Sequence, residues 1–77
     1  MNKKIPTILA QNIKQRRLDM GISQEQLAEI INASRLTIAW LETEKRWISA
    51  EMLERLASAF NCQPYELLQD KAPSSDQ

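Results

Sequence analysis

Histidine is absent from this 77-residue chain, and glycine occurs once, at Gly21. Without an imidazole, a nucleophile beside a visible base, or a carboxylate pair at a working spacing, acid–base and nucleophilic catalysis have no carriers. One glycine leaves no loop able to cradle a phosphate through its backbone. Cys62 stands alone, so there is neither a disulfide framework nor metal-ligand spacing, and a reduced, cytoplasmic setting is expected. Long apolar runs are missing too. Ile5 to Ala10 follows Lys3 and Lys4 but stops at Gln11, short of a secretion-signal core, and no segment could span a bilayer. The expectation is therefore a protein that is not an enzyme, with no cofactor, metal, membrane partner or evident small-molecule ligand.

Only four aromatic residues are present, and Val, Ile and Thr do not alternate along any stretch. These absences remove the signature of a sheet and point to an all-α fold, with room for one small core. The formal net charge is zero, yet it is unevenly spread. Residues 1 to 46 carry eight basic and five acidic groups, while 47 to 77 carry two and five, so one part is +3 and the other −3. A basic face for an anionic partner is compatible with that neutral total.

The stretch from Gln24 to Leu41 is organised as two short helices joined by a tight turn. Ser23 and Gln26 stand at the spacing of a capping box. Leu27, Ile30 and Ile31 form the apolar face of the first helix, Ala28 lies where its neighbour must approach, and Glu25 and Glu29 face outward. Asn32 tolerates a left-handed backbone and can turn the chain, and Ser34 can cap the second helix. In that helix Ile38 and Leu41 point inward. Arg35, Leu36, Ala39 and Trp40 are left on the opposite side.

Before this pair, a helix from about Thr7 or Ile8 to Met20 is predicted, with Leu9, Ile13 and Met20 as its buried stripe and Gly21 as its stop. Lys14, Arg16 and Asp19 read as solvated charges. After the pair, Ser49 caps a helix from about Ala50 to Phe60, with Leu53, Leu56, Ala57 and Phe60 inward. Asn61 ends it, and Gln63-Pro64 opens a fifth helix that brings Leu67 and Leu68 to the core. Cys62 is read as a small buried hydrophobe. Residues 1 to 6 are expected to form a flexible arm, 7 to 70 the domain, and 71 to 77 a disordered tail.

Ser23-Gln24, Leu27-Ala28, Ile31, Asn32, Ser34-Arg35, Thr37-Ile38, Leu41-Glu42, Lys45-Arg46, Ser49, Leu53, Leu56-Ala57 and the Asn61 to Leu68 segment together resemble the Cro/C1-type, or xenobiotic-response-element-like, helix-turn-helix regulators. The resemblance spans roughly residues 8 to 69 and implies a five-helix, lambda-repressor-like domain. It also implies sequence-specific binding of double-stranded DNA by a transcriptional regulator whose third helix enters the major groove. Two departures stand out. Thr43-Glu44 replaces the family's usual Asn-Gly, so helix three either runs on or ends by another turn. Leu36 and Trp40 replace polar residues.

Arg17 falls four residues after Ile13 on the buried stripe of helix one, and Glu42 four after Ile38. Two charges so placed are expected to pair, and several relatives have such a link, which would mount the recognition helix. The resemblance gives Gln24 a phosphate contact at a helix start and a bracing role. Arg35 can donate two bonds to guanine, while Leu36 and Trp40 suit thymine methyls. Ser34 and Thr37 either cap the helix or touch phosphate, and Lys45 and Arg46 would position the domain on the backbone. Relatives usually bind paired half-sites as dimers, so a homodimer through helices four and five is expected. The lack of a second domain resembles stand-alone regulators, including restriction-modification controllers and phage repressors, and suggests control by concentration. An alternative class is a protein-docking module that uses the Leu36 and Trp40 patch.

Overall fold

The computed structural model describes residues 4–70. They form five helices: α1 (Ile5–Asp19), α2 (Gln24–Ile31), α3 (Arg35–Glu42), α4 (Ala50–Ala59) and α5 (Pro64–Leu67). The expected all-α architecture is present. Helix α1 opens at Ile5, with Pro6 in its first turn, earlier than the expected start at Thr7 or Ile8. Proline's fixed φ suits that position, where its missing N–H costs nothing. Lys4 is the N-cap of α1, and residues 1–3 of the expected arm and the expected tail, 71 to 77, lie outside the described residues.

Each helix is bounded by local chemistry. Ser23, Ser34 and Ser49 accept from the backbone N–H groups of Gln26, Thr37 and Met52, satisfying donors that a helix start leaves open. Four helices end in the same way. A residue with positive φ lets the next N–H reach back to a carbonyl five residues earlier: Ile22 to Arg17, Ala33 to Ala28, Lys45 to Trp40 and Cys62 to Ala57. The positive-φ residues are Gly21, Asn32, Glu44 and Asn61. Three are the types that tolerate this region well. Glu44, at φ 64°, is not, and a left-handed conformation costs an ordinary L-residue about 1–2 kcal/mol. The third helix thus ends by the same turn as the other three, without a glycine or asparagine at the positive-φ position.

Leu9, Ile13, Leu27, Ile38, Leu56 and Leu67, drawn from all five helices, are the largest fully buried side chains. Each such side chain contributes about 1.5–3 kcal/mol by leaving water. Ala28, Ile31, Leu41, Ile48, Ala57 and Phe60 complete the core, with Ile22, Met52, Leu53, Cys62 and Leu68 partly buried against it. Helix α3 packs on α1 and α2, while α4 closes over α2 and α5 joins α4 to α1.

Two core expectations fail. Ile30 is 53% exposed. Leu27, Ala28 and Ile31 define the stripe of α2, and at about 100° per residue Ile30 lies roughly 100° from its centre, beyond the width one short helix buries. Met20 is 44% exposed, because α1 has already ended and Ile22 folds back onto the core in its place.

Candidate nucleic-acid interface

The fold holds α3 on the outside of the domain through one buried polar cluster. Arg17 Nε donates to Glu42 Oε2 at 2.7 Å, and Nη2 donates to Oε1 at 3.2 Å. The two side chains are only 11% and 3% exposed. Arg17 Nη1 also donates to the Ile22 carbonyl at 2.9 Å, and Gln24 Nε2 donates to Glu42 Oε1 at 3.1 Å. The last helical residue of α3 is therefore tied to α1, to the α1–α2 turn and to the first residue of α2. A bidentate guanidinium–carboxylate pair fixes direction as well as distance, so the cluster sets the angle at which α3 is presented.

The outer face of α3 carries the residues singled out in the sequence. Ser34 Oγ accepts from Thr37 N at 3.1 Å and lies 2.9 Å from Thr37 Oγ1, so both hydroxyls take part in the cap and sit at the positive end of the helix. Arg35 is exposed beside them. Leu36, the next residue, is 47% exposed, and Trp40, about one turn further on the same face, is 36% exposed. Thr43 Oγ1 donates to the Ala39 carbonyl at 2.7 Å, and beyond it the left-handed Glu44 turns the chain back. The return places Arg46 Cζ 5.8 Å from the centre of the Trp40 ring. Lys45 is exposed next to it.

The chain has five arginines. Three are engaged within the domain: Arg16 with Glu66 at 3.4 Å, Arg17 with Glu42, and Arg55 with Glu51 at 2.8 Å. Among the described residues Arg35, Lys45 and Arg46 make no ion pair. Lys4 and Lys14 are exposed along α1, while the two arginines left without an ion pair lie, with Lys45, at the two ends of α3. Around them the surface alternates hydroxyl, cation and apolar groups, which matches what a major groove and its flanking phosphates present. Among the described residues no cluster of acidic, histidine or cysteine side chains could hold a metal ion. Glu25, Glu29, Glu51 and Glu54 lie on exposed helix faces.

Several residues that join the other helices to one another were not legible as such. Asn12 is 6% exposed inside α1, and its Nδ2 donates to the carbonyls of Leu67 at 2.8 Å and Gln69 at 2.9 Å. It closes the carbonyl end of α5, which has no helical donors left. The available signal was a polar residue one place before Ile13 on the inward side. Arg16, read as a solvated charge, has a side chain only 20% exposed and reaches Glu66, and its Nε is buried without a partner among the described residues. Arg55 Nη1 donates to the Ile31 carbonyl at 3.3 Å and so holds the end of α2 against α4.

A family model described as helix-turn-helix matches residues 13–67. The control protein C.SmaI of Serratia marcescens is 36% identical over 73 residues, covering 95% of this chain and 87% of that protein. The hypothetical transcription factor NHTF from Neisseria has a similar structure, with a TM-score of 0.85 at 28% identity over 88% of this chain and 78% of the other. The P22 c2 repressor, solved in complex with a synthetic operator, gives a TM-score of 0.77 at 27% identity over 82% of this chain and 96% of its own.

Proposed function

This chain belongs to the Cro/C1-type helix-turn-helix family of DNA-binding transcriptional regulators, which are not enzymes, and we propose that it recognises paired half-sites as a homodimer. In this reading α3 enters the major groove with Arg35, Leu36 and Trp40 toward base edges, Arg35 on a guanine and the two apolar side chains on thymine methyls. Gln24, Ser34, Thr37, Lys45 and Arg46 meet the phosphates on either side. The observation that carries it is that the two arginines without an ion pair, Arg35 and Arg46, lie with Lys45 at the ends of α3, while the other three arginines pair with carboxylates of the domain.

Gln24 fits its part because one N–H of its amide braces Glu42, leaving the other for a phosphate at the start of α2. Its side chain is half-buried, so it approaches the backbone in a fixed pose. The dimer would use α4 and α5, where Tyr65 is 65% exposed, and would set the two α3 helices about one DNA turn, roughly 34 Å, apart. No described helix is long and apolar enough to cross a membrane, and a regulator of this kind would work in the cytoplasm, on chromosomal or phage DNA. The docking-module alternative draws no support from the family.

The test is binding to labelled DNA from upstream of the protein's own gene against scrambled DNA, titrated across salt. Preference for the upstream fragment, with affinity falling steeply as salt rises, is expected. Absence of binding at low salt would overturn the reading. Sedimentation of the complex would give the number of chains per site.

A further inference from the structure

Trp40 is a bulky side chain on an exposed helix face, where an indole would ordinarily move among several rotamers. The chain that follows restricts it. Left-handed Glu44 allows Lys45 N to donate to the Trp40 carbonyl at 2.9 Å, which reverses the backbone at the end of α3. Thr7 Oγ1 donates to Glu44 Oε1 at 2.9 Å and pins this turn to α1. Ile48, 6% exposed, anchors the chain on the other side. Arg46 is held between these two fixed points, with its guanidinium carbon 5.8 Å from the Trp40 ring centre.

We propose that Arg46 is a positioning residue for Trp40: its guanidinium holds the indole in the pose that contacts the base, so Arg46 sets specificity beyond its charge toward phosphate. The proposal rests on the DNA reading above. Its physical basis is that a planar guanidinium stacks on an aromatic face in a way that a lysine ammonium does not match. An indole already fixed before binding loses less freedom on meeting the DNA, which increases affinity only for sites that use it. Charge alone would strengthen binding to every sequence alike.

Arg46→Lys separates the two roles, because it keeps the charge and alters the stack. One readout uses protein without DNA. In a Trp47→Phe background Trp40 is the sole tryptophan, and its fluorescence emission should change when Arg46 is replaced by Lys or Ala. Unchanged emission with both would show that no stack exists in solution and would end the proposal. The second readout is discrimination between upstream and scrambled DNA. Arg46→Lys should lower upstream affinity about three- to tenfold more than scrambled affinity, with the salt slope of each reporting any change in phosphate contact. In a Trp40→Ala background the same substitution should have no further effect. Full retention of discrimination by Arg46→Lys, or an equal loss with and without Trp40, would overturn the positioning role and leave the DNA reading intact. Native protein without preference for any fragment would instead remove the DNA reading, and the proposal with it.

Discussion

Glu42→Ala removes one partner of the buried pair that mounts α3. The carboxylate is 3% exposed and takes three hydrogen bonds, from Arg17 Nε, Arg17 Nη2 and Gln24 Nε2. Removing one member of such a pair costs about 3–5 kcal/mol, because the remaining charge stays buried without compensation. Arg17 keeps its bond to the Ile22 carbonyl, which places the expected loss near the lower end, at about 3 kcal/mol. A 77-residue domain is stable by roughly 4–11 kcal/mol, so the variant should still fold, but marginally. In urea, followed by the helical circular dichroism signal, the midpoint should fall by about 3 M at a slope near 1 kcal/mol/M. The melting temperature should fall by about 12–24 °C. The double variant Arg17→Met/Glu42→Leu should recover most of this, since it removes both charges and fills the space. A loss below about 1 kcal/mol for Glu42→Ala would match an exposed pair and refute the reasoning. So would a double variant as unstable as the single one.

Arg35→Ala is expected to cost about 1–3 kcal/mol and to relax preference at one base position, read by binding to a panel of single-base operator variants; an equal loss on all sequences would make it a phosphate contact. Asn12→Ala should destabilise by about 1–3 kcal/mol in urea unfolding, because the Leu67 and Gln69 carbonyls lose their donor. Hydrogen exchange should locate the loosened region at α5. Glu44→Gly should raise stability by up to about 1 kcal/mol by relieving the positive φ, less whatever the exposed Thr7 hydrogen bond contributes. A fall in melting temperature for that variant would mean the tie to α1 outweighs the backbone cost.

What the sequence by itself determined lies within the reach of one helical turn. Ser23, Ser34 and Ser49 act on amides three residues away, and Gly21, Asn32 and Asn61 act on their own φ, so starts, stops and the tight turn follow from neighbouring residues. The Arg17 and Glu42 pair could be expected as well, although the residues are 25 apart, because each breaks an apolar stripe and only an opposite charge resolves both. The outer face of α3 was legible for the converse reason: once Ile38 and Leu41 are assigned inward, geometry leaves Arg35, Leu36 and Trp40 outside.

Tertiary structure decided the rest, wherever a side chain's fate depended on a distant segment. Asn12 looks unremarkable until the open carbonyls of α5 arrive from more than fifty residues away, and Arg16 reads as solvated until α5 covers it with Glu66. Ile30 and Met20 have the composition of core residues, but burial requires a facing neighbour, and packing supplied none. Glu44 accepts a left-handed backbone that its own chemistry disfavours, because the ends of the α3–α4 connection are fixed by Trp40, Thr7 and the buried Ile48. That same closure carries Arg46 to the face of Trp40. Local propensity costs about 1–2 kcal/mol at most per residue, and a connection clamped at both ends can override it.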